Sequence, residues 1–215
     1  MRLNVGSGPM VADGWVSIDG SWQARLARYP LLARIAKAVT GREVGHWPRG
    51  IICRDVRNGL GVAPGTVSAI YSSHFIEHLR RDEALRFLRG CRTALEPGGA
   101  CRVVTPDLRA LIAHYVESAS SHDAAETFMR SSLLGEPTQP DARGLLEFYR
   151  RRTQFDRHKW LYDAASLCAL FEEAGFKHPT TRHYLDSRIP ADVLSRVEHR
   201  SRIEDGAGVV VEATA

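Results

Sequence analysis

The sequence predicts an α/β protein built on one mostly parallel sheet. Three observations lead there. Short apolar runs of strand length alternate with segments of helical spacing, the pattern of a parallel sheet covered on both faces. The chain has 215 residues, 44% apolar and 25% charged, which suits one domain over residues 1–215 with a substantial core. The ends of successive runs carry Gly6-Ser7-Gly8, Asp19, Asp55, Ser73-His74 and Thr105-Pro106-Asp107, at the carboxyl ends where open parallel sheets bind ligands.

The elements follow in order. A strand at Arg2–Gly6 turns at Ser7-Gly8-Pro9. A second strand, Gly14 to Asp19, ends in an acid. Ser21 to Thr40 has helical spacing in Leu26, Leu31, Leu32, Ile35 and Val39, and Pro30 splits it. Gly50 to Asp55 is a third strand and Val67 to Ser72 a fourth, with a Pro64-Gly65 turn between them. Arg81 to Leu95 reads as a helix that Pro97-Gly98-Gly99 stops. Ala100 to Thr105 is a fifth strand, and Asp107 is placed to N-cap the next helix. A helical insertion over about residues 109–157 loosens the pattern. Asp163 caps a helix that Gly175 closes, and Thr180–Leu185 and Gly208–Thr214 complete seven strands.

Composition removes several classes. No run of about 18 apolar residues is present, so no transmembrane helix is expected. The start, Met1-Arg2-Leu3-Asn4-Val5-Gly6, lacks a signal-peptide apolar region, and a cytoplasmic location is expected. The net charge is +4, yet only three of the 29 basic residues are lysines, and the arginines are scattered apart from Arg150–Arg152. A nucleic-acid binder needs a dedicated basic stripe, so nucleic acid is not expected as a partner. The cysteines, Cys53, Cys91, Cys101 and Cys168, form no C-x-x-C pair, and Cys53 and Cys101, inside apolar strand-like runs, read as small core residues of a reducing compartment.

Each strand end has a plain and a chemical reading. Gly6-Ser7-Gly8 is either an ordinary turn or a place where backbone approaches a ligand closely. Asp19 is either a cap before Ser21 or a carboxylate that accepts both hydroxyls of a ribose. Asp55 is either a turn former before Asn58-Gly59 or an acceptor for an adenine amino group. Their order on successive strand ends favours the chemical reading.

That order resembles the class I S-adenosylmethionine-dependent methyltransferases, and more narrowly a small bacterial branch beginning Leu-Asn-x-Gly-Ser/Cys-Gly. The matching segments are Leu3-Asn4-Val5-Gly6-Ser7-Gly8, Gly14-Trp15-Val16-Ser17-Ile18-Asp19, Tyr71 to Leu79, Leu95 to Gly99, Thr105 to Leu108, His158 to Asp163 and Ala174-Gly175-Phe176. The resemblance implies a Rossmann-like sheet of seven strands, mostly parallel with the last antiparallel, and an inserted helical lid. It implies S-adenosyl-L-methionine as cofactor. Gly6, Ser7 and Gly8, with Asn4 of the same motif, would approach its methionine part. Asp19 would hold the ribose, Asp55 the adenine amino group, and Val56 would pack on the ring. Ser73 and His74 would line the wall below the sulfonium.

Two departures stand out. Only Ser7 to Trp15 separates the first two strands, too short for the usual crossover helix, so a turn is expected. The helices that usually precede the first strand are also missing, and their covering role falls to residues 21–50 and 118–156. A nicotinamide dinucleotide site competes poorly: Val11 stands where a third glycine belongs, and the acid comes too early.

His74, Glu77 and His78 match the H-x-x-E-H zinc pattern if they lie on a helix. Metal-assisted O-methyltransferases of the ubiquinone and small-RNA types carry Glu-x-x-Glu-His here, whereas this chain has His74 first. No third ligand is identifiable, so no metal is assigned, and Glu77-His78 is read as capping and orienting a helix beside the cofactor. A hydroxyl acceptor needs a base, and His74, Asp107, His158 and Tyr162 are the catalytic candidates. The expected activity is methyl transfer, at oxygen, to a small-molecule or glycan acceptor. Arg150–Arg152, Arg157 and Lys159 would suit an anionic one. A non-catalytic S-adenosylmethionine-binding partner subunit and an RNA methyltransferase are the rival readings.

Overall fold

The computed structural model describes residues 1–40, 47–134, 157–204 and 207–215. Its seven strands form one sheet: β1 (Arg2–Val5), β2 (Val16–Asp19), β3 (Ile52–Cys53), β4 (Val67–Ser73), β5 (Leu95–Pro106), β6 (Lys177–Thr181) and β7 (Gly208–Thr214). The spatial order is β3-β2-β1-β4-β5-β7-β6. Pairings from β3 to β5 are parallel, and β7 runs antiparallel to both β5 and β6. This is the seven-stranded, mostly parallel sheet that the sequence predicts.

Side chains alternate across the sheet because strand residues point to opposite faces in turn. Ile70, Cys101, Val103, Val209 and Val211 meet α3 (Arg81–Ala94) and α6 (Ala164–Glu173) on one face. Tyr71, Ala100, Val104 and Val210 pack with Trp15, Ile189, Leu194 and Val197 on the other. The second face is therefore closed by the segment before β7, which includes the short helix α7 (Ala191–Leu194).

Among the described residues the remaining helices are α1 (Trp22–Leu26), α2 (Pro30–Thr40), α4 (Leu108–Glu117) and α5 (Ala124–Ser131). Pro30 opens α2 and separates it from α1, as expected of a residue that lacks an amide hydrogen. Asp107 caps α4 by accepting from Arg109 N at 2.9 Å. Residues 7–15 form turns without a helix, which brings β1 and β2 together directly.

Four expectations need correction. The third strand shrinks to Ile52–Cys53. Pro97-Gly98-Gly99 does not end a segment but lies inside β5, whose register against β4 shifts between Val67 and Ala69. The sixth strand is Lys177–Thr181, earlier than Thr180–Leu185. His74 to His78 is not an α-helix: His74 has φ +51 and a single 3-10 turn, Ile76–His78, follows. The run Arg150–Arg152 lies outside the described residues.

Candidate cofactor site

Strand order reverses between β1 and β4, so their carboxyl ends diverge into connections on opposite sides and leave a crevice. A cavity of about 570 Å³ opens there. Gly6 to Met10 after β1, Asp19 to Gln23 after β2, and Ser73, His74, Phe75 and His78 after β4 line it, together with Trp47 and Arg202.

The glycine turn is built for close approach. Gly6 sits at φ +68, and a Cβ there would lie 2.6 Å from Phe75 Cβ. Gly8, at φ +56, has open space where its side chain would be. All three amides of the turn are used within the protein: Gly6 and Ser7 donate to the Ile18 carbonyl at 2.9 and 3.2 Å, and Gly8 donates to Asp19 Oδ2 at 2.9 Å. Asp19 Oδ1 accepts from Ser21 N at 2.8 Å. Each carboxylate oxygen thus has one protein donor and keeps capacity for one more.

Asn4 lies in β1 just below the turn, buried, with its amide 3.8 Å from Met10 Sδ. Asn4 does not line the cavity itself, whereas Met10 does. Asp55 and Val56 line a neighbouring crevice of about 10 Å³ that shares Gly6, Gly20 and Phe75 with the large cavity. Both Asp55 oxygens are taken by Arg57, with contacts of 2.9 Å from Nε and 2.7 Å from a terminal nitrogen. The Arg57 hydrogen bond outweighs burial and holds the Asp55 carboxyl below its usual range.

The far wall carries a polar cluster. Glu77 is fully buried; its Oε2 accepts from Thr105 Oγ1 at 3.1 Å, while Oε1 has no hydrogen bond. His74 Nδ1 lies 3.3 Å and His158 Nε2 3.8 Å from Oε1. Lys159 N and Trp160 N donate to the Glu77 carbonyl at 2.7 and 3.2 Å, and these bonds bring the returning chain, and His158 with it, against the 3-10 turn. Burial alone would raise the Glu77 carboxyl; the contact with His74 and the charge of His78 overcome it, and Glu77 titrates below its usual range. Burial pushes His158 down, opposed by Glu77.

Of the four candidate bases, His74 lines the cavity and the others do not. His158 stands behind Glu77. Tyr162 is buried with an unpartnered hydroxyl that burial pushes up, and it bridges by backbone to Asp107, which is a helix cap. Sequence reasoning assigned no role to Met10, Trp22, Gln23, Trp47, Phe75 and Arg202 in the cavity wall, and named Thr105 at a strand end without its bond to Glu77. Met10 had a signal, its place just after the glycine turn.

The residues fit an adenosyl cofactor at the ribose and methionine ends. Asp19 has acceptor capacity left, Gly8 leaves room, and the buried Ser73 Oγ and His74 Nε2 lack partners.

A doubly wound sheet with an antiparallel last strand and a cavity at this switch point defines the class I S-adenosylmethionine-dependent methyltransferase fold. Residues 20–179 match the model of a family described as methyltransferase domain, and the chain belongs to that family. Two solved structures illustrate the likeness. A SAM-dependent methyltransferase from Archaeoglobus fulgidus superposes with a TM-score of 0.50 at 15% identity, covering 100% of this chain and 85% of the other. One from Methanosarcina mazei gives 0.50 at 16%, covering 99% and 91%. No curated protein matches the chain significantly. Among the described residues, no helix is long and apolar enough to cross a membrane.

Proposed function

We propose that the protein is an S-adenosyl-L-methionine-dependent methyltransferase acting at oxygen on a small-molecule or glycan acceptor, with residues 1–215 acting as one domain. The observation that carries this reading is the glycine turn with its amides spent on Ile18 and Asp19. A dinucleotide site needs free amides at a helix N-terminus for its phosphates. Here no amide of the turn is free and no helix follows it. What the turn offers is room, carbonyl oxygens and a carboxylate, which suits a ligand with hydroxyls, an ammonium group and a sulfonium.

When bound, the cofactor supplies a methyl group activated by its sulfonium. The protein's part is alignment, which by itself accounts for a large share of the rate of such a displacement. Asp19 accepts the ribose hydroxyls. Gly6, Ser7 and Gly8 let the methionine part lie against backbone, and Ser73 closes the wall beside it. Asp55 and Val56 receive the adenine after their crevice widens. As the acceptor oxygen takes the methyl group, its proton passes to Nε2 of His74, the one cavity-lining candidate base. The cationic residues Arg157 and Lys159, on the segment that returns to the site, suit an anionic acceptor.

Calorimetric titration with S-adenosylmethionine tests the first half of this reading. Asp19→Ala is expected to weaken binding by about 1–3 kcal/mol, the usual loss at a buried hydrogen-bonding partner. An unchanged dissociation constant would remove Asp19 from the ribose role. Incubation with methyl-labelled cofactor and an extract of small molecules and glycans, read by mass spectrometry, tests the second half. Cofactor binding without label transfer would favour a non-catalytic binding subunit.

A further inference from the structure

We propose that Glu77, His78 and His158 form a binding site for one divalent transition-metal ion in the wall of the cavity. One nitrogen from each histidine and one Glu77 oxygen all lie within 4.8 Å of one another. Bonds of about 2.0–2.1 Å to a common ion would draw these atoms closer together.

The hydrogen bonds around the cluster point to a cation. His78 Nδ1 lies 2.9 Å from the Arg157 carbonyl, and His158 Nδ1 lies 2.8 Å from the Ser132 carbonyl. A carbonyl only accepts, so both Nδ1 atoms carry the ring hydrogen. Nε2 of each ring is then the nitrogen left to bind a cation. The Glu77 carboxylate is fully buried, and its Oε1 completes no hydrogen bond, with His74 Nδ1 at 3.3 Å and His158 Nε2 at 3.8 Å. One ring nitrogen of His78, Nε2 of His158 and a Glu77 carboxylate oxygen share one small space.

The support behind these atoms is what metal ligands usually have. Ligating histidines donate their second ring N–H to a carbonyl or carboxylate, and ligating carboxylates are held by further hydrogen bonds. Both rings here are pinned by backbone carbonyls, and Thr105 Oγ1 holds Glu77 Oε2 at 3.1 Å. Two histidines and one carboxylate suit Zn²⁺ and its neighbours in the first transition row; Mg²⁺ and Ca²⁺ prefer all-oxygen sets. Three protein ligands leave a coordination position open. Of the three ligands His78 lines the cavity, so the cluster borders it. The inference rests on the cluster's geometry and stands whether or not the chain transfers methyl groups.

The test uses untagged full-length protein stripped with chelator and dialysed. Calorimetry with ZnCl₂ is expected to show one ion per chain, and Co²⁺ is expected to give visible absorption bands of low coordination number. Glu77→Gln and His158→Ala should each weaken Zn²⁺ binding at least tenfold, while the exposed-site control His114→Ala should not. Absence of stoichiometric binding, or equal affinity in all three variants, would overturn the site. Should the variants misfold, the Co²⁺ spectrum of the wild-type protein decides: octahedral, water-like bands argue against the site. Cofactor titration of the metal-free protein is read separately, so loss of one result leaves the other standing.

Discussion

At the residue scale, the two carboxylates at the tips of β2 and β3 have parallel roles in the proposed site, yet their surroundings differ. Asp19 faces the cavity with acceptor capacity left, whereas Asp55 is chelated by the guanidinium two residues on. A carboxylate already holding arginine contributes less to a new donor than a free one. Asp55→Asn should therefore weaken S-adenosylmethionine binding less than Asp19→Ala does, and calorimetry on the two variants compares them. A larger loss at Asp55 would mean that Arg57 swings away on binding. His74 is the second case. Its φ of +51 lies in the region that Asn and His tolerate better than most residues, so His74→Asn preserves the backbone while removing the imidazole. Loss of a general base typically slows turnover by about 10²–10⁴-fold. The expected result is that loss in kcat at saturating cofactor; unchanged turnover would move the proton elsewhere. The order of the strand-end residues was legible in the sequence because it depends on local chain order. The pairing of Glu77 with His158 was not, because it joins residues far apart through two backbone bonds to one carbonyl.

At the scale of elements, local signals were read well where one residue decides the outcome. Pro30 splits the first helical segment, and Asp107 and Asp163 cap their helices. Signals failed where the tertiary setting overrides propensity. Thr180 to Leu185 looks more strand-like than Lys177 to Thr181, which contains Pro179. That strand is the sheet edge and pairs only with β7, with a register shift between Lys177 and Thr180. An edge tolerates proline because one side of the strand needs no donors. The H-x-x-E-H segment reads as helix by spacing, but a strand tip at positive φ leaves room for only one 3-10 turn. Asp163 gives a quantitative check. Its carboxylate accepts from Ser166 N at 2.8 Å and from the Ser166 hydroxyl at 2.7 Å, which holds its pKa at about 2. A depressed carboxyl contributes stability that is complete above its unfolded value and is lost as pH falls through the folded one. Asp163→Ala should lower stability by about 1 kcal/mol at pH 7, as for other N-caps. The difference from wild type should shrink as pH falls from about 4 towards 2, measured by urea unfolding across that range. A difference independent of pH would mean that the cap does not act through its charge.

At the scale of the whole molecule, the second face of the sheet is held by a buried ion network. Arg102 in β5 is fully buried. It donates to both oxygens of Glu198 at 2.7 and 3.1 Å, and approaches Glu212 of β7 at 3.3 Å. Further bonds reach the carbonyls of His183 and Asp186 at 2.7 and 2.8 Å. One guanidinium therefore ties the sheet to the segment that closes its far face. That face also carries Trp15, whose Nε1 donates to the Val193 carbonyl at 3.0 Å, so the same segment supports the turn leading into β2. Nothing in the run Ala100 to Thr105 announces this role, since an arginine in a strand of alternating pattern reads as solvent-facing. Removing one member of a buried charge pair typically costs about 3–5 kcal/mol, because the partners keep their charge without compensation. Here two carboxylates, Glu198 and Glu212, would be stranded together. Arg102→Leu should lower stability by that amount in urea unfolding. Arg102→Leu combined with Glu198→Gln and Glu212→Gln should recover much of it, since no buried charge then remains unpaired. Equal losses in the single and triple variants would show that the lost backbone ties to His183 and Asp186, rather than stranded charge, dominate.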